Sequence, residues 1–371
     1  MNKCFITKLP SSVDNDNLPV LGQLRINWLK DSKINDARKR RITLGSNDNI
    51  TVKVSGAYFT NDTFTSNLGN TKTITAADGN VALYVSNDTN AVLTIDNKYS
   101  LTYISFMINQ WDNVSKPIYF DLDDIKYCTN INTLGLDNTK VSGDISALSN
   151  LTKLTFLHLD GTQVSGDISV LSNFTNLDNL YLNDTQVSGD ISALTNLTNL
   201  TMLHLGNTDV SGDISALLSN LTKLPPTEID FSETNVVGDI SKLVNISILN
   251  QTNYWHWTRG ATLTGDMSKV PANVSFIAAN KKSNFTWTAN GRQNATLLAI
   301  MGVGAAHFDT ASMDNMLIDQ ATCTFKPDNP NNTRPWTKVI GVDGTRTSAS
   351  DAAVTAIQNM GVTITGVTKE G

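Results

Sequence analysis

Apolar and polar residues follow one another in a pattern that returns every 23 residues through the middle of the chain. The hexapeptide VSGDIS occurs four times, beginning at Val141, Val164, Val187 and Val210. Degenerate copies of the hexapeptide follow at residues 237–241 and 263–268, and the stretch from residue 118 fits the same frame. Seven repeat units therefore span residues 118–268. Each full unit holds two leucines with one residue between them, such as Leu157 and Leu159. This period of two predicts a short strand that points both leucines to the same side.

The complete frame, L-x-x-L-x-L-x-x-T-x-V, is that of a leucine-rich repeat with Thr where the usual pattern has Asn. One coil cannot bury its own apolar face, so neighbouring coils must stack into a continuous core. The pattern therefore predicts a solenoid over residues 118–268, and the first unit, residues 118–140, should cap it and contact the preceding domain. Phe120 and Tyr127 replace the usual turn Gly and Asn of this unit, and we expect both to be buried.

The residues before the repeats have a different pattern. Short β-branched runs separated by turn residues predict a small β-sandwich domain over residues 36–117. Asp78-Gly79 stands between two of these runs and predicts a hairpin. Residues 1–35 hold one strand-like segment, Gln23–Leu29, in a stretch rich in Pro, Asn and Asp, and are interpreted as an N-terminal arm.

The residues after the repeats add helices to the pattern. Helices are predicted at Ser312–Ala321 and Ala349–Met360, alternating with short strands. Residues 269–371 are therefore interpreted as helix-bearing C-terminal repeats and a cap. The predicted fold class is mainly β with some α: an N-terminal β-sandwich followed by a leucine-rich repeat solenoid that ends in these repeats.

Charge and cysteine content exclude several classes of function. A net charge of -6 argues against a nucleic-acid partner, because a protein that binds nucleic acid neutralises phosphate charges with Lys and Arg. The three cysteines, Cys4, Cys128 and Cys323, are too scattered for a disulfide framework, and Cys128 falls at an apolar core position. The N-terminus lacks the apolar run of a signal peptide, and no stretch approaches the roughly 18 apolar residues of a membrane span. We therefore expect synthesis in a cytoplasm, without a signal peptide and without membrane insertion.

Residues at the outward positions of the predicted strands are the candidate binding residues. They combine rings with amide and imidazole groups, a mixture suited to contact with sugar or protein: Phe156, His158, Tyr181, Asn183, Met202 and His204. We expect His158 and His204 to be surface residues of the sheet. Trp255 and Trp257 interrupt a regular unit and join the candidate set, although they also fit as replacements for leucine in the core of a longer coil.

Two polar residues recur once per coil. An acidic ladder follows the turn glycines: Asp121, Asp144, Asp167, Asp190, Asp213, Asp239 and Asp266. We expect its carboxylates to accept hydrogen bonds from nearby backbone N–H groups, with calcium binding as the alternative. A threonine ladder is expected to satisfy buried backbone groups between coils: Thr139, Thr162, Thr185, Thr208 and Thr234. The chain has no H-E-x-x-H, G-x-S-x-G or P-loop motif, so no enzyme activity, catalytic residue, metal or cofactor is predicted.

The opening residues 1–9, the β-domain, the VSGDIS units and the ending Gly344–Asp351 resemble leucine-rich repeat proteins of phages and prophages of gut Bacteroidales, including crAss-like phages. The resemblance implies a non-enzymatic virion component, such as a head or tail fibre. It also implies attachment to other virion proteins through the N-terminal region, a homotrimer, and adhesion to a host polysaccharide or outer-membrane protein. A prophage-derived bacterial cell-surface adhesin or protein-interaction module is the alternative.

Overall fold

Residues 23–28, 41–55, 57–60, 66–85, 91–106, 118–220, 228–242, 262–270, 276–280, 283–291, 299–303, 306–323 and 339–370 are described by the computed structural model. The fold is mainly β. Within these residues, the strands form three sheets, and the α-helices are short: α1 is Ser215–Asn220, α2 is Thr310–Ala321 and α3 is Asp351–Asn359.

Antiparallel strands make up the N-terminal part: Leu24–Trp28, Arg41–Ser46, Ile50–Ser55, Phe59–Thr60, Thr71–Ile74, Val81–Val85, Ala91–Ile95 and Leu101–Ser105. The strand Leu24–Trp28 lies between Ala91–Ile95 and Ile118–Tyr119, and its apolar side chains are fully buried. Residues 24–28 therefore belong to the sheet, whereas the sequence placed them in an arm. The alternation of apolar and polar residues in LRINW is the physical reason, because it supplies one buried face.

The predicted hairpin at Asp78-Gly79 is wrong. Thr71–Ile74 pairs with Ile50–Ser55 in one sheet, whereas Val81–Val85 pairs with Arg41–Ser46 in another. A 3₁₀ turn, Ala76–Asp78, carries the chain from one sheet to the other. The Asp78 carboxylate accepts hydrogen bonds from the Thr75 backbone N–H at 2.6 Å and from its hydroxyl at 2.9 Å, and this cap fixes the turn.

Two parallel ladders build the solenoid. One contains the L-x-L segments, with in-register strands Thr133–Gly135, Phe156–His158, Asn179–Tyr181, Met202–His204 and Glu228–Asp230. The other contains Ser142–Asp144, Gln163–Asp167, Gln186–Asp190, Asp209–Asp213, Asn235–Asp239 and Thr262–Asp266. Leucines of the frame, such as Leu157 and Leu180, are 0% exposed and fill the space between the ladders. This region is a leucine-rich repeat solenoid.

The threonine ladder is buried, and its hydrogen bonds differ from the expectation. Each hydroxyl donates to the backbone carbonyl three residues earlier in its own coil, at 2.5 to 2.7 Å. The ladder therefore closes the turn within each coil and does not join neighbouring coils. The residue before each threonine has a positive φ, as at Asn138, Asp184 and Asn207, which brings the hydroxyl back toward that carbonyl.

The first repeat unit pairs with strands of both N-terminal sheets. Thr133–Gly135 pairs in parallel with Tyr103, Ile104 and Ser105, and Ile118–Tyr119 pairs with the strand Leu24–Trp28. Phe120 is buried, as predicted. Tyr127 is 58% exposed, so its predicted burial is wrong; its ring instead lies 5.4 Å from the Lys126 ammonium group. Cys128 is fully buried, as expected, and burial raises its thiol pKa to about 11.

The C-terminal part continues the parallel pairing with the strands Phe276–Asn280, Asn284–Thr286, Ala299–Val303, Ala306–Phe308, Val339–Arg346 and Thr363–Lys369. Helices α2 and α3 lie at the predicted positions. Two buried carboxylates of α2 bind the neighbouring units. Asp314 accepts hydrogen bonds from the hydroxyls of Thr347 and Ser350, both at 2.6 Å. Asp319 accepts from the Trp287 indole N–H at 2.9 Å.

Candidate functional site

The candidate residues lie on the outer side of the L-x-L ladder. The parallel register places His158, Tyr181 and His204 side by side in consecutive coils, between Gly135 and Asp230, as the sequence predicts. A second row on the same side contains Phe156, Asn179 and Met202. Asn179 was not among the predicted residues, although its 23-residue offset from Phe156 already placed it in this row.

Four rings of these rows form one continuous stack. The ring centroids of Phe156 and His158 are 4.0 Å apart, those of His158 and Tyr181 are 3.7 Å apart, and those of Tyr181 and His204 are 4.4 Å apart. His158, Tyr181 and His204 lie on neighbouring in-register strands, whose spacing of about 4.8 Å lets their rings lie over one another, and Phe156 adds a ring from the same strand as His158. We name these four residues the ring stack.

The prediction that His158 and His204 are surface residues is wrong. His158 is 3% exposed and His204 is 9% exposed, because the neighbouring rings cover them. Phe156, Tyr181 and Met202 remain partly exposed, and the Tyr181 hydroxyl contacts the Met202 sulfur. The side chains available to a partner in these rows are therefore Phe156, Tyr181 and Met202, with Asn179 beside them.

His158 is held in its neutral form. Burial lowers its pKa to about 3, and the nearby His204 adds to the effect. The Asp160 carboxylate lies 4.0 Å from Nδ1 of His158, but its attraction does not outweigh the cost of burying a charged imidazole. Nε2 of His158 is shielded from solvent and makes no hydrogen bond with the described residues.

Asn183 lies one row beyond the ring stack, at the end of its strand, where the preceding coil has Asp160. The Asn183 side chain is partly exposed, but its Oδ1 atom is shielded and makes no hydrogen bond with the part of the chain that the structure describes. Trp255 and Trp257 lie outside the described residues.

The acidic ladder lies on the other strand ladder and caps its turns. Each carboxylate accepts a hydrogen bond from the backbone N–H two residues later, at 2.8 to 2.9 Å. The expectation of backbone hydrogen bonding is therefore confirmed. The pKa of Asp190 is lowered by the backbone N–H and then by the hydroxyl of Ser192, and the pKa of Asp213 is lowered by the hydroxyl and then by the backbone N–H of Ser215. Within the described residues, no group of three or more His, Cys, Asp or Glu side chains is arranged to hold a metal ion.

Five carboxylates of this ladder also pack closely on the turn glycine of the following coil: Asp121, Asp144, Asp167, Asp190 and Asp239. At Gly189, where φ is +116°, a Cβ atom would lie 2.5 Å from Oδ1 of Asp167. The GD dipeptide is therefore one device shared by two coils: Gly leaves room for the carboxylate of the preceding coil, and Asp caps its own turn.

None of the helices in the described segments has the length and apolar character needed to cross a bilayer. Comparison with protein-family models gave no match, and comparison with curated protein sequences gave none either.

Comparison with solved structures gave many matches. A plant ice-binding protein is 21% identical, with 45% of this chain and 52% of that chain covered and a TM-score of 0.36. The plant peptide hormone receptor RGFR1 in complex with RGF2 is 17% identical, with 69% and 51% covered and a TM-score of 0.37. An internalin from Listeria monocytogenes is 20% identical, with 74% and 84% covered and a TM-score of 0.38. The chain thus spans about half the length of the two plant proteins.

Proposed function

We propose that this protein is a non-enzymatic virion component, a head or tail fibre or appendage, that binds a host-surface molecule through the outer side of its L-x-L ladder. The observation that carries the binding role is the set of partly exposed Phe156, Tyr181 and Met202 side chains on adjacent strands. Aromatic residues and methionine are enriched at protein interfaces. A ladder of in-register strands holds them in fixed positions, which lowers the entropy lost on binding.

The virion role is supported by the sequence resemblance to phage-encoded repeat proteins. In this proposal, the N-terminal region attaches to other virion proteins, and the solenoid contacts an outer-membrane protein or polysaccharide of the host. A homotrimer fits this arrangement, as does production in the host cytoplasm before assembly. The pairing of the N-terminal part with the first coil supports transmission of force along the molecule, because strands of both N-terminal sheets pair with that coil.

Adsorption of the purified protein to host cells tests the binding role. The double variant Phe156→Ala and Tyr181→Ala should weaken adsorption by about tenfold or more, as expected for interface anchors. Tyr127→Ala is the matched control, because it removes an exposed ring from a different part of the solenoid. His158 and His204 are left unchanged because their removal would open cavities in the ring stack. Circular dichroism checks that both variants are folded.

Equal adsorption by the native chain and the folded double variant would contradict a binding role for these rings. The virion role has a separate test, mass spectrometry of purified phage particles. The protein should be present in stoichiometric amounts. Its absence from the particle would contradict the virion role and favour a cell-surface adhesin or interaction module of a prophage.

A further inference from the structure

One side of the solenoid carries only acidic charge. We name it the strand-side surface, and it consists of the L-x-L strands with the residues that flank them: 132–139, 155–162, 178–185, 201–208 and 228–234. These segments contain no Lys or Arg and have seven acidic residues: Asp137, Asp160, Asp178, Asp184, Glu228, Asp230 and Glu233. Asp137 is buried, whereas the side chains of Asp160, Asp178, Asp184, Asp230 and Glu233 are partly or fully exposed beside the paired strands.

Two buried acceptor atoms on the same surface indicate a ligand that donates hydrogen bonds. Nε2 of His158 and Oδ1 of Asn183 are shielded from solvent and have no hydrogen-bond partner in the described segments. The Asp160 carboxylate on the Nδ1 side of His158 favours the tautomer with its proton on Nδ1, which leaves a lone pair on Nε2. A buried acceptor without a donor destabilises the free protein, and a bound donor removes that cost.

The two central rings of the ring stack offer no open face to a neutral sugar. A sugar binds an aromatic platform through an open ring face. Both faces of the His158 and Tyr181 rings are occupied, since each ring lies between two others at centroid distances of 3.7 to 4.4 Å. The partly exposed Tyr181 therefore presents its edge and hydroxyl to a partner.

We propose that the strand-side surface binds an arginine-bearing peptide segment of the partner protein, with guanidinium groups against Asp160, Asp178 and Asp184. This inference rests on the proposed binding function and names the partner class for it. A guanidinium group combines positive charge with five N–H donors in a planar fork, which suits both the carboxylates and the amide and imidazole acceptors. One of the two rings that cover His158 belongs to the partly exposed Tyr181, and interface side chains commonly change rotamer on binding.

The test measures fluorescence anisotropy of a labelled peptide of alternating Arg and Gly with the full chain. A Glu-Gly peptide of equal length controls for peptide binding in general. The site variant neutralises three carboxylates of the strand-side surface with isosteric amides: Asp160→Asn, Asp178→Asn and Asp184→Asn. The control variant changes the net charge equally at exposed positions elsewhere: Asp48→Asn, Asp209→Asn and Asp343→Asn.

The native chain should bind the Arg-Gly peptide and not the Glu-Gly peptide, with affinity that falls as salt rises. The site variant should lose about tenfold or more in affinity, whereas the control variant should lose less than about twofold. An equal loss in both variants, or no binding of the Arg-Gly peptide, overturns the inference.

Adsorption to host cells separates this inference from the proposed function. If the Phe156 and Tyr181 double variant loses adsorption while the site variant keeps it, the binding function stands and the arginine-peptide partner is wrong. If neither variant loses adsorption, the proposed function itself fails. Inhibition of adsorption by a neutral glycan, but not by the Arg-Gly peptide, would replace the peptide with a sugar ligand.

Discussion

His158 should make the solenoid sensitive to acid. Burial among rings lowers its pKa from 6.5 to about 3 in the folded chain, with a smaller contribution from His204. The unfolded chain retains the ordinary pKa and therefore binds a proton first as the pH falls. Stabilisation by the neutral imidazole is thus fully present above pH 6.5 and is lost progressively as the pH falls toward 3.

The size of this effect follows from the two pKa values. Each pH unit between them removes about 1.4 kcal/mol from the free energy of unfolding. Lowering the pH from 7 to 4.5 crosses two units below the unfolded pKa, which gives a loss of about 2.5 kcal/mol. Because pH 4.5 lies well above the pKa of His158 in the folded chain, the loss of unfolding free energy at that pH depends only on the pKa of His158 in the unfolded chain.

The matched variant is His158→Phe, which removes the titrating group and keeps a ring in the stack. Tyr181 occupies the same register position in the next coil, so the column accommodates a six-membered ring. Urea unfolding followed by circular dichroism at both pH values should show about 2.5 kcal/mol less pH dependence in the variant than in the native chain. Carboxylates with lowered pKa, such as Asp190 with its hydrogen bond from Ser192, are present in both proteins and cancel in the difference.

Two results would refute the reasoning. One is equal loss of stability in the native chain and His158→Phe between pH 7 and pH 4.5. The other is an NMR titration in which the folded His158 imidazole protonates near its ordinary pKa, since that would place the ring in contact with water.

Three further predictions test the solenoid by urea unfolding. Leu157→Ala should cost about 2 to 5 kcal/mol as a buried side chain is lost, and a cost below about 1 kcal/mol would contradict its place in the core. Thr185→Val should cost about 1 to 3 kcal/mol by removing a buried hydroxyl, whereas the control Thr185→Ser keeps the hydrogen bond. Equal stability of the Thr185→Val and Thr185→Ser variants would show that this hydrogen bond does not stabilise the fold. Gly189→Ala combines a positive φ with a clash at Asp167, whereas Gly69→Ala has a positive φ in open space. The first should therefore cost more by at least about 1 kcal/mol, and equal costs would mean that the carboxylate moves aside freely.

The repeat region is predictable from sequence because one local rule is repeated. The spacing of Leu157 and Leu159 gives a strand, the GD dipeptide gives a capped turn, and the 23-residue period gives the register between coils. Each of these depends on residues close in sequence. The helices α2 and α3 are predictable for the same reason, since their apolar spacing and the stop at Gly361 are local signals.

The exposure of the candidate residues could not be predicted in this way. Strand alternation correctly placed His158 and His204 on the outer side of the ladder, but it carries no information about what lies over them. Their burial depends on the rotamers of rings in adjacent coils, which a pattern of single residues does not specify. The Asp78-Gly79 error has a similar origin, because the dipeptide specifies a turn but not the sheet to which the next strand is added.

The arrangement of the ring stack depends on the turns more than on the strands, because each L-x-L strand has only three residues. A slip of one residue would exchange the inward leucines with the outward rings. Two features of the regular coils oppose such a slip. On one side, the threonine hydroxyl closes the turn after the strand, and on the other, a carboxylate fits over the glycine of the next coil. These contacts fix successive coils at one register, so that rings 23 residues apart can stack. The repeated turn chemistry is therefore what aligns the outward side chains of strands too short to fix their own register.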